Sequence, residues 1–273
     1  MSDIVLTAGV RANLLQLQST AATITNTQSK LATGKRVNSA LDNPINFFTA
    51  QGLSNRASDL TNLLDSMSTA ISTIQAANNG LTSITKLVQS AQALASQAQQ
   101  TSDATVRSGL ASQFNAIKTQ IDQLAGDSGF NGINLLDSTN STNLTVQLNE
   151  RNTSSVTVNA VDTTSTGLAI NNATNNWAAA ADITAASTEL TAALTTLRSQ
   201  AQAFGSQLST VQIRQDFTKA MVNTLQSGSD ALTLADSNEE GANLLALQTR
   251  QQLSTTALSL ASQASQAVLR LFQ

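Results

Sequence analysis

Side chains that can hand on a proton or an electron pair are scarce in this chain. It has no histidine and no cysteine. Without a histidine base, the Ser–His and Cys–His pairs of nucleophilic catalysis cannot be assembled. Without cysteine there is no disulfide framework and no thiol-based zinc site. The string Gly126-Asp127-Ser128-Gly129 echoes the loop around a nucleophilic serine, but with nothing to take the proton it reads as a glycine-rich turn. Gly126, Gly129 and Gly132 lack dinucleotide or P-loop spacing, and no Lys-Ser/Thr follows them. Glu239 and Glu240 are adjacent, so on a helix they point about 100° apart and cannot face one another as a catalytic pair. The other acidic residues are scattered, without the ligand spacing of a calcium loop. Asn-x-Ser/Thr triplets begin at Asn140, Asn143, Asn152 and Asn172. Chance explains them in a segment this rich in Asn and Thr. The inventory points away from an enzyme, and no cofactor or metal is expected.

The composition suits thin helical layers. Hydrophobic residues make up 41% of the 273 positions, while aromatics are 3%, with one Trp and no Tyr. The apolar set is mostly Ala, Leu, Ile and Val, which paired helices can bury without large rings. Charged residues are 11%, against about a quarter in ordinary domains. The net charge is −3 and the one basic cluster is Lys35-Arg36, so nucleic acid is not an expected partner. No run of about eighteen apolar residues is present, so no membrane span is expected. Met1 to Arg11 lacks the basic and apolar regions of a Sec-type signal peptide. An extracellular destination would need a route without a cleaved signal.

Helical periodicity dominates. Val10, Leu14, Leu17, Ala21, Ile24 and Leu31 follow 4-3 steps, with Gln28 as a polar member of the row, and the pattern ends at Gly34. Gly34 to Pro44 reads as a connector, in which Asp42 or Asn43 could cap a helix starting at Pro44. The next stripe is Leu53, Ala57, Leu60, Leu64, Met67, Ile71 and Ile74; after one slip it continues through Ala77, Leu81, Ile84, Val88, Ala91, Ala95 and Ala98. About 50 helical residues would span roughly 75 Å. A break near Ser102 and Asp103 precedes a third stripe of Val106, Leu110, Phe114, Ile117, Ile121 and Leu124. Leu144–Leu148 and Ser155–Asn159 alternate apolar and polar residues, the mark of a β-hairpin. Asp162 to Asn176 is Thr- and Asn-rich and reads as irregular. From Ala178 another long helix follows, marked by Ile183, Ala186, Leu190, Ala193, Leu197, Ala201, Phe204, Leu208, Val211, Val222 and Leu225, and Gly228 is expected to close it. Leu253, Ala257, Leu260, Ala264, Ala267 and Leu271 stripe the last segment.

The expected fold is mainly α: long, antiparallel, coiled-coil-like helical rods with a small β-hairpin. Residues 1–44 and 229–273 would form one domain from the two chain ends. Residues 45–228 would form the other, with helices over 45–101, 104–126 and 178–227 and a hairpin and variable loop over 130–177. The core of that second domain is expected from Leu60, Leu64, Ile71, Ile74, Leu81, Val88, Leu190, Leu197, Phe204, Leu208 and Val211. Rods that bury one stripe each leave apolar surface for neighbours.

Three segments carry a family resemblance. Leu31-Ala32-Thr33-Gly34-Lys35-Arg36-Val37-Asn38-Ser39-Ala40-Leu41-Asp42-Asn43-Pro44 resembles the amino-terminal pattern of bacterial flagellins. Phe130-Asn131-Gly132 followed by Leu135-Leu136 is similar to the flagellin turn before its hairpin. Ala235-Asp236-Ser237-Asn238-Glu239-Glu240-Gly241-Ala242-Asn243-Leu244, through to Leu271-Phe272, resembles the flagellin carboxyl terminus. The match spans most of the chain and is most similar to the short flagellins of alphaproteobacteria.

The resemblance implies a structural subunit that polymerises with copies of itself into the extracellular flagellar filament. The terminal helices would line the inner tube, making Val10, Leu14, Leu17, Ile24, Leu31, Leu253, Leu260 and Leu271 polymerisation residues. The central helices and hairpin would form an outer rod with no large outer domain, since only about Thr163 to Trp177 could hold one. It also implies export through the flagellum's type III apparatus with an export chaperone, and contact with cap and hook-associated proteins. The terminal segments, 1 to about 40 and 230 to 273, are expected to fold on assembly, because a lone amphipathic helix has nothing to bury its stripe against. Where flagellins recognised by the vertebrate Toll-like receptor carry Arg-aliphatic-Arg-Glu, this chain has Ser90-Ala91-Gln92-Ala93, so weak receptor activation is expected. A hook–filament junction protein shares the helical plan and the Gly-Lys-Arg-Val-Asn-Ser motif, but the carboxyl-terminal match favours the filament subunit. An exported helical coiled-coil adhesin would explain the heptads but not the motifs at both ends.

Overall fold

The structure is a computed structural model and describes residues 8–138 and 143–271, the side chains of 265 and 268–271 excepted. Five α-helices and one hairpin follow in order: α1 (Ala8–Thr33), α2 (Pro44–Gln99), α3 (Ala104–Asp127), β1 (Leu144–Gln147), β2 (Ser155–Val158), α4 (Ala180–Thr233) and α5 (Ser237–Leu271). The chain divides into two compact units, Arg56–Asn223 and the paired ends Met1–Asn55 with Thr224–Gln273. α2 and α4 contribute to both.

α2 runs 56 residues without a break. Its only proline sits at the first position, where the missing N–H costs nothing, and Asn43 Oδ1 accepts from the Asn46 amide at 3.0 Å as the cap. Its many Ser and Thr hydroxyls are satisfied locally: Thr61, Thr69, Thr73, Thr82 and Thr85 each donate to the carbonyl four residues back. The core stripe runs Met67, Ala70, Ile74, Ala77, Leu81, Ile84, Val88, Ala91, Ala95 and Ala98. The slip of register therefore falls at Met67–Ala70, not after Ile74, and Ile71 is left half-buried.

Three helices and the hairpin close the core of the Arg56–Asn223 unit. Asp103 caps α3, its Oδ1 accepting from the Thr105 and Val106 amides at 2.8 and 3.2 Å. That exposed first turn leaves Val106 45% accessible, so the expected α3 stripe starts at Leu110. The strands pair antiparallel with Leu144 opposite Val158 and Gln147 opposite Ser155, and Leu144, Val146 and Val158 point into the core. Leu60, Ile74, Leu81, Val88, Leu190, Leu197, Phe204 and Val211 are buried. Leu64, Ile71 and Leu208 are half-buried against the same core.

The Asp162–Asn176 stretch is irregular, as expected, with no α-helix or strand and one short 3-10 turn over Thr174–Trp177, and single hydrogen bonds hold it. Thr163 and Ser165 are buried polar residues; Thr163 donates backbone N–H and side-chain hydroxyl to the Leu136 carbonyl at 3.0 Å each, and Ser165 donates both of its groups to Asp122. The stretch ends in a left-handed run, Asn175, Asn176 and Trp177, at φ 48°, 51° and 61°, which drops the Trp177 ring into the core beside Phe114. The expected stop at Gly228 does not occur: α4 passes through it to Thr233. A Cβ at Gly228 would make an ordinary van der Waals contact with Leu53 Cδ1, at 3.4 Å, so this glycine neither ends the helix nor is demanded by its packing.

Candidate assembly surface

The two chain ends form a thin structure. α1 and α5 pack along one another, yet α1 buries only Thr20, Ile24 and Thr27. The observed stripe is rotated from the expected one: Thr20 and Thr27 take the buried positions, while Gln28 is exposed and Ala21 half-buried. Thr20 can be buried because its hydroxyl donates to the Gln16 carbonyl at 2.8 Å. Of the terminal residues expected to drive polymerisation, Ile24 is buried, Val10 and Leu17 are half-buried, and Leu14 and Leu31 are each 39% exposed. Leu253 and Leu260 on α5 are 66% and 62% exposed. The Leu271 side chain lies outside the described residues. Sequence periodicity did not mark Leu15 and Leu245, 66% and 67% exposed, because neither sits on the row chosen.

The pair is tied down at its connector end. Gly34 turns the chain at φ +67°, a conformation costly for any residue with a Cβ. The Arg36 and Val37 amides then donate to the Thr233 carbonyl at 2.8 and 3.2 Å, and the Ala235 amide donates to the Gly34 carbonyl at 3.0 Å. The Arg36 guanidinium donates to the Ala231 carbonyl at 2.9 Å. Lys30 reaches Glu240 at 2.8 Å, which separates the Glu239-Glu240 doublet into one ion-paired acid and one at the positive N-terminus of α5.

Beyond Val37 the connector is locked by one carboxylate. Asp42 Oδ2 accepts from the Asn38 amide at 3.0 Å, the Ser39 amide at 2.8 Å and the Ser39 hydroxyl at 3.1 Å. The hydrogen bonds from Ser39 and Asn38 hold the Asp42 pKa below its ordinary 3.8, with nearby Lys30 adding to the effect. This loop ends at the start of α2 with Leu41 96%, Ile45 78% and Phe48 62% exposed.

The motifs weighed for chemistry serve as structure. The Ser128 hydroxyl donates to the Leu124 carbonyl at 2.6 Å. Asn143 Oδ1 accepts from the Ala160 amide at 3.0 Å, and Asn172 Oδ1 from Lys118 Nζ at 2.8 Å; the Asn140 triplet lies outside the described residues. Among the described residues no three of His, Cys, Asp and Glu gather as a metal site.

A subunit whose ends show large aliphatic side chains to solvent, on helices with little core of their own, is one made to be covered by further protein. Comparison with known proteins gives that class its family. Residues 7–141 match the bacterial flagellin N-terminal helical region, and residues 188–272 match the bacterial flagellin C-terminal helical region. Flagellins FljM and FljO of Caulobacter vibrioides are 32% and 31% identical to this chain over 274 aligned residues, 100% of this chain and 99% of theirs. Flagellin A of Rhizobium meliloti is 43% identical over 77 residues, 28% of this chain and 20% of its own. The crystal structure of Bacillus cereus flagellin superposes with a TM-score of 0.49 at 26% identity, covering 55% of this chain and 86% of that one. The chain belongs to the bacterial flagellin family. It is a structural subunit that polymerises with copies of itself into the flagellar filament, outside the cell.

Proposed function

We propose that α1 and α5 are the surface through which copies of this subunit assemble, lining the inner tube of the filament. The observation that supports this reading is the exposure of Leu14, Leu31, Leu253 and Leu260 on two helices that bury little against each other. Covering a leucine of this kind is worth about 2 kcal/mol, so four of them per copy outweigh much of the entropy lost on joining a polymer. The Arg56–Asn223 unit keeps a closed apolar core of its own. The chain acts by assembly alone, with no catalytic role. Its further partners are those of the family: the type III export apparatus and its chaperone before assembly, and the cap and hook-associated proteins at the two ends of the filament.

Seeded growth tests the assignment. Purified subunit added to short filament seeds under mild salting-out should elongate them into long tubes visible by electron microscopy. The double substitution Leu253→Ser with Leu260→Ser should stop elongation while leaving the unfolding of the Arg56–Asn223 unit, followed by Trp177 fluorescence, where it was. Normal elongation by that variant would remove these leucines from the assembly surface.

A further inference from the structure

Building on the assembly reading above, we propose that the loop at Leu41 is a preformed knob that seats in a groove between α1 and α5 of another copy. Leu41, Ile45 and Phe48 are 96%, 78% and 62% exposed; Ile45 and Phe48, three apart in the first turns of α2, share a face, and Leu41 stands in the turn just before them. The loop that carries Leu41 is rigid before any partner arrives. Asp42 Oδ2 holds the Asn38 and Ser39 amides and the Ser39 hydroxyl, and the Leu41 amide donates to that same hydroxyl at 3.3 Å. A leucine held in place loses little freedom on binding, which is how an anchor residue gains affinity.

The seat lies in the same unit. Val10 and Leu14 of α1, with Thr255, Leu258, Ser259 and Ser262 of α5, line a groove of about 450 Å³. The hydroxyl of Thr255 is turned to the Gln252 carbonyl at 2.8 Å, and Val10, Leu14 and Leu258 supply the apolar part of the lining. A copy cannot fill its own groove: the continuous helix α1 runs on from Leu14 to Thr33 before the connector begins, about 30 Å at 1.5 Å per residue. Knob and groove are therefore different patches of one molecule, and contacts between different patches propagate into an open helical array when the rotation does not close a ring.

Charge agrees with the pairing. Arg11, next in the chain to the lining residue Val10, is exposed and makes no ion pair among the described residues. Asp42, beside Leu41 on the knob, is exposed and spends only Oδ2 on its loop. Seating Leu41 in the groove brings Asp42 Oδ1 toward Arg11 of the receiving copy.

The absence of cysteine from the chain makes the test clean. Two single variants, Leu41→Cys and Leu258→Cys, are co-assembled on wild-type seeds and treated with a short bismaleimide; a second pair, Ile45→Cys with Ser262→Cys, is treated in the same way. Covalent dimers are expected from mixed filaments, with none from the same mixture kept soluble and none from either variant alone. Arg11→Glu should slow elongation about tenfold. Mixed filaments that form at wild-type yield and give no dimer with either pair overturn the knob-in-groove contact while leaving the filament reading intact. Failure of the unmodified chain to elongate seeds would instead overturn the filament reading, and this contact with it.

Discussion

The Ser128 side chain occupies the space that any side chain on Gly80 would need: a Cβ built on Gly80 lies 2.3 Å from Ser128 Oγ and 2.8 Å from Ser128 Cβ, with Leu136 Cδ1 at 2.6 Å. Gly80 is buried in the middle of α2, where a glycine ordinarily costs about 1 kcal/mol against alanine. Here the contact reverses the sign. Ser128 Oγ is fixed by its bond to Leu124, and its Cβ can move only with the end of α3. Gly80→Ala is expected to destabilise the Arg56–Asn223 unit by about 1–3 kcal/mol, the usual range for overpacking. A lower urea midpoint at unchanged slope would register it, and adding Ser128→Gly should recover most of the loss. A Gly80→Ala variant as stable as the parent would mean that α2 and the end of α3 are not in contact.

Trp177 offers a second test of the same core. Its ring is fully buried, 5.0 Å from the Phe114 ring centroid, and its indole N–H has no hydrogen-bond partner. It also sits at φ +61°, a strained value for a bulky residue. Trp177→Ala should cost about 3–5 kcal/mol through the cavity it leaves. Trp177→Phe should cost clearly less, because it keeps the contact with Phe114 and gives up no hydrogen bond. Equal losses for the two, measured by urea denaturation with circular dichroism, would show that the indole N–H matters.

How far the sequence carried depends on what kind of signal each residue gives. Long rows of Leu, Ile, Val and Ala at helical spacing located α1 to α5, and two short alternating runs located the hairpin, though not the register of its pairing. The run from Asp162 to Asn176 was opaque because its order comes from single hydrogen bonds to distant partners: Thr163 to Leu136 and Ser165 to Asp122. No periodicity encodes those. Gly228 does not stop α4, because a glycine inside a helix costs only about 1 kcal/mol and the helix continues on both sides of it. On α1 the burial of Thr20 was not legible, since a threonine looks polar until its hydroxyl is seen bonded to its own helix. Leu41 belongs to no periodic row, so its 96% exposure, next to the Asp42 cage, had no signal in the sequence.

That cage predicts a pH response. Asp42 accepts three hydrogen bonds as a carboxylate, so its pKa in the folded chain lies below the 3.8 of an unfolded aspartate. A lowered folded pKa gives stability that is fully present above the unfolded value and is lost as pH falls through the folded one. The loop over 38–42 should therefore hold its form at pH 4 and above, and open only at more acid pH. The Ser39 amide resonance should titrate with a midpoint below 3.8 in the parent chain, and Asp42→Asn should abolish that titration. A Ser39 midpoint above 3.8 would contradict the bonding described.

Recognition by the vertebrate Toll-like flagellin receptor is expected to be weak. Where the family resemblance places the charged cluster of recognised flagellins, this chain has Ser90-Ala91-Gln92-Ala93. Ala91 is buried, and the Gln92 amide turns toward Thr191 Oγ1 at 3.5 Å. No charged side chain is left there to anchor a partner. Reporter cells should respond less to this subunit than to an enterobacterial flagellin at equal dose, and an equal response would refute the expectation.

The last prediction concerns the ends of the free subunit. α1 and α5 are helices in the structure, yet α1 buries three residues, two of them threonines, whereas α2 alone commits Met67, Ile74, Leu81, Ile84 and Val88 to a closed core at 0–1% exposure. Local opening follows buried apolar contact, so the two regions should differ in stability by several kcal/mol. In the soluble subunit, amides of α1 and α5 should exchange about a hundredfold faster or more than those of α2 between Met67 and Ala98, the factor that ~3 kcal/mol of local stability gives. In assembled filaments the same terminal amides should become protected, because neighbouring copies supply the cover that a single chain lacks. Terminal amides already protected in the soluble subunit would mean that α1 and α5 are stable as a pair, and that folding of the ends is not coupled to assembly.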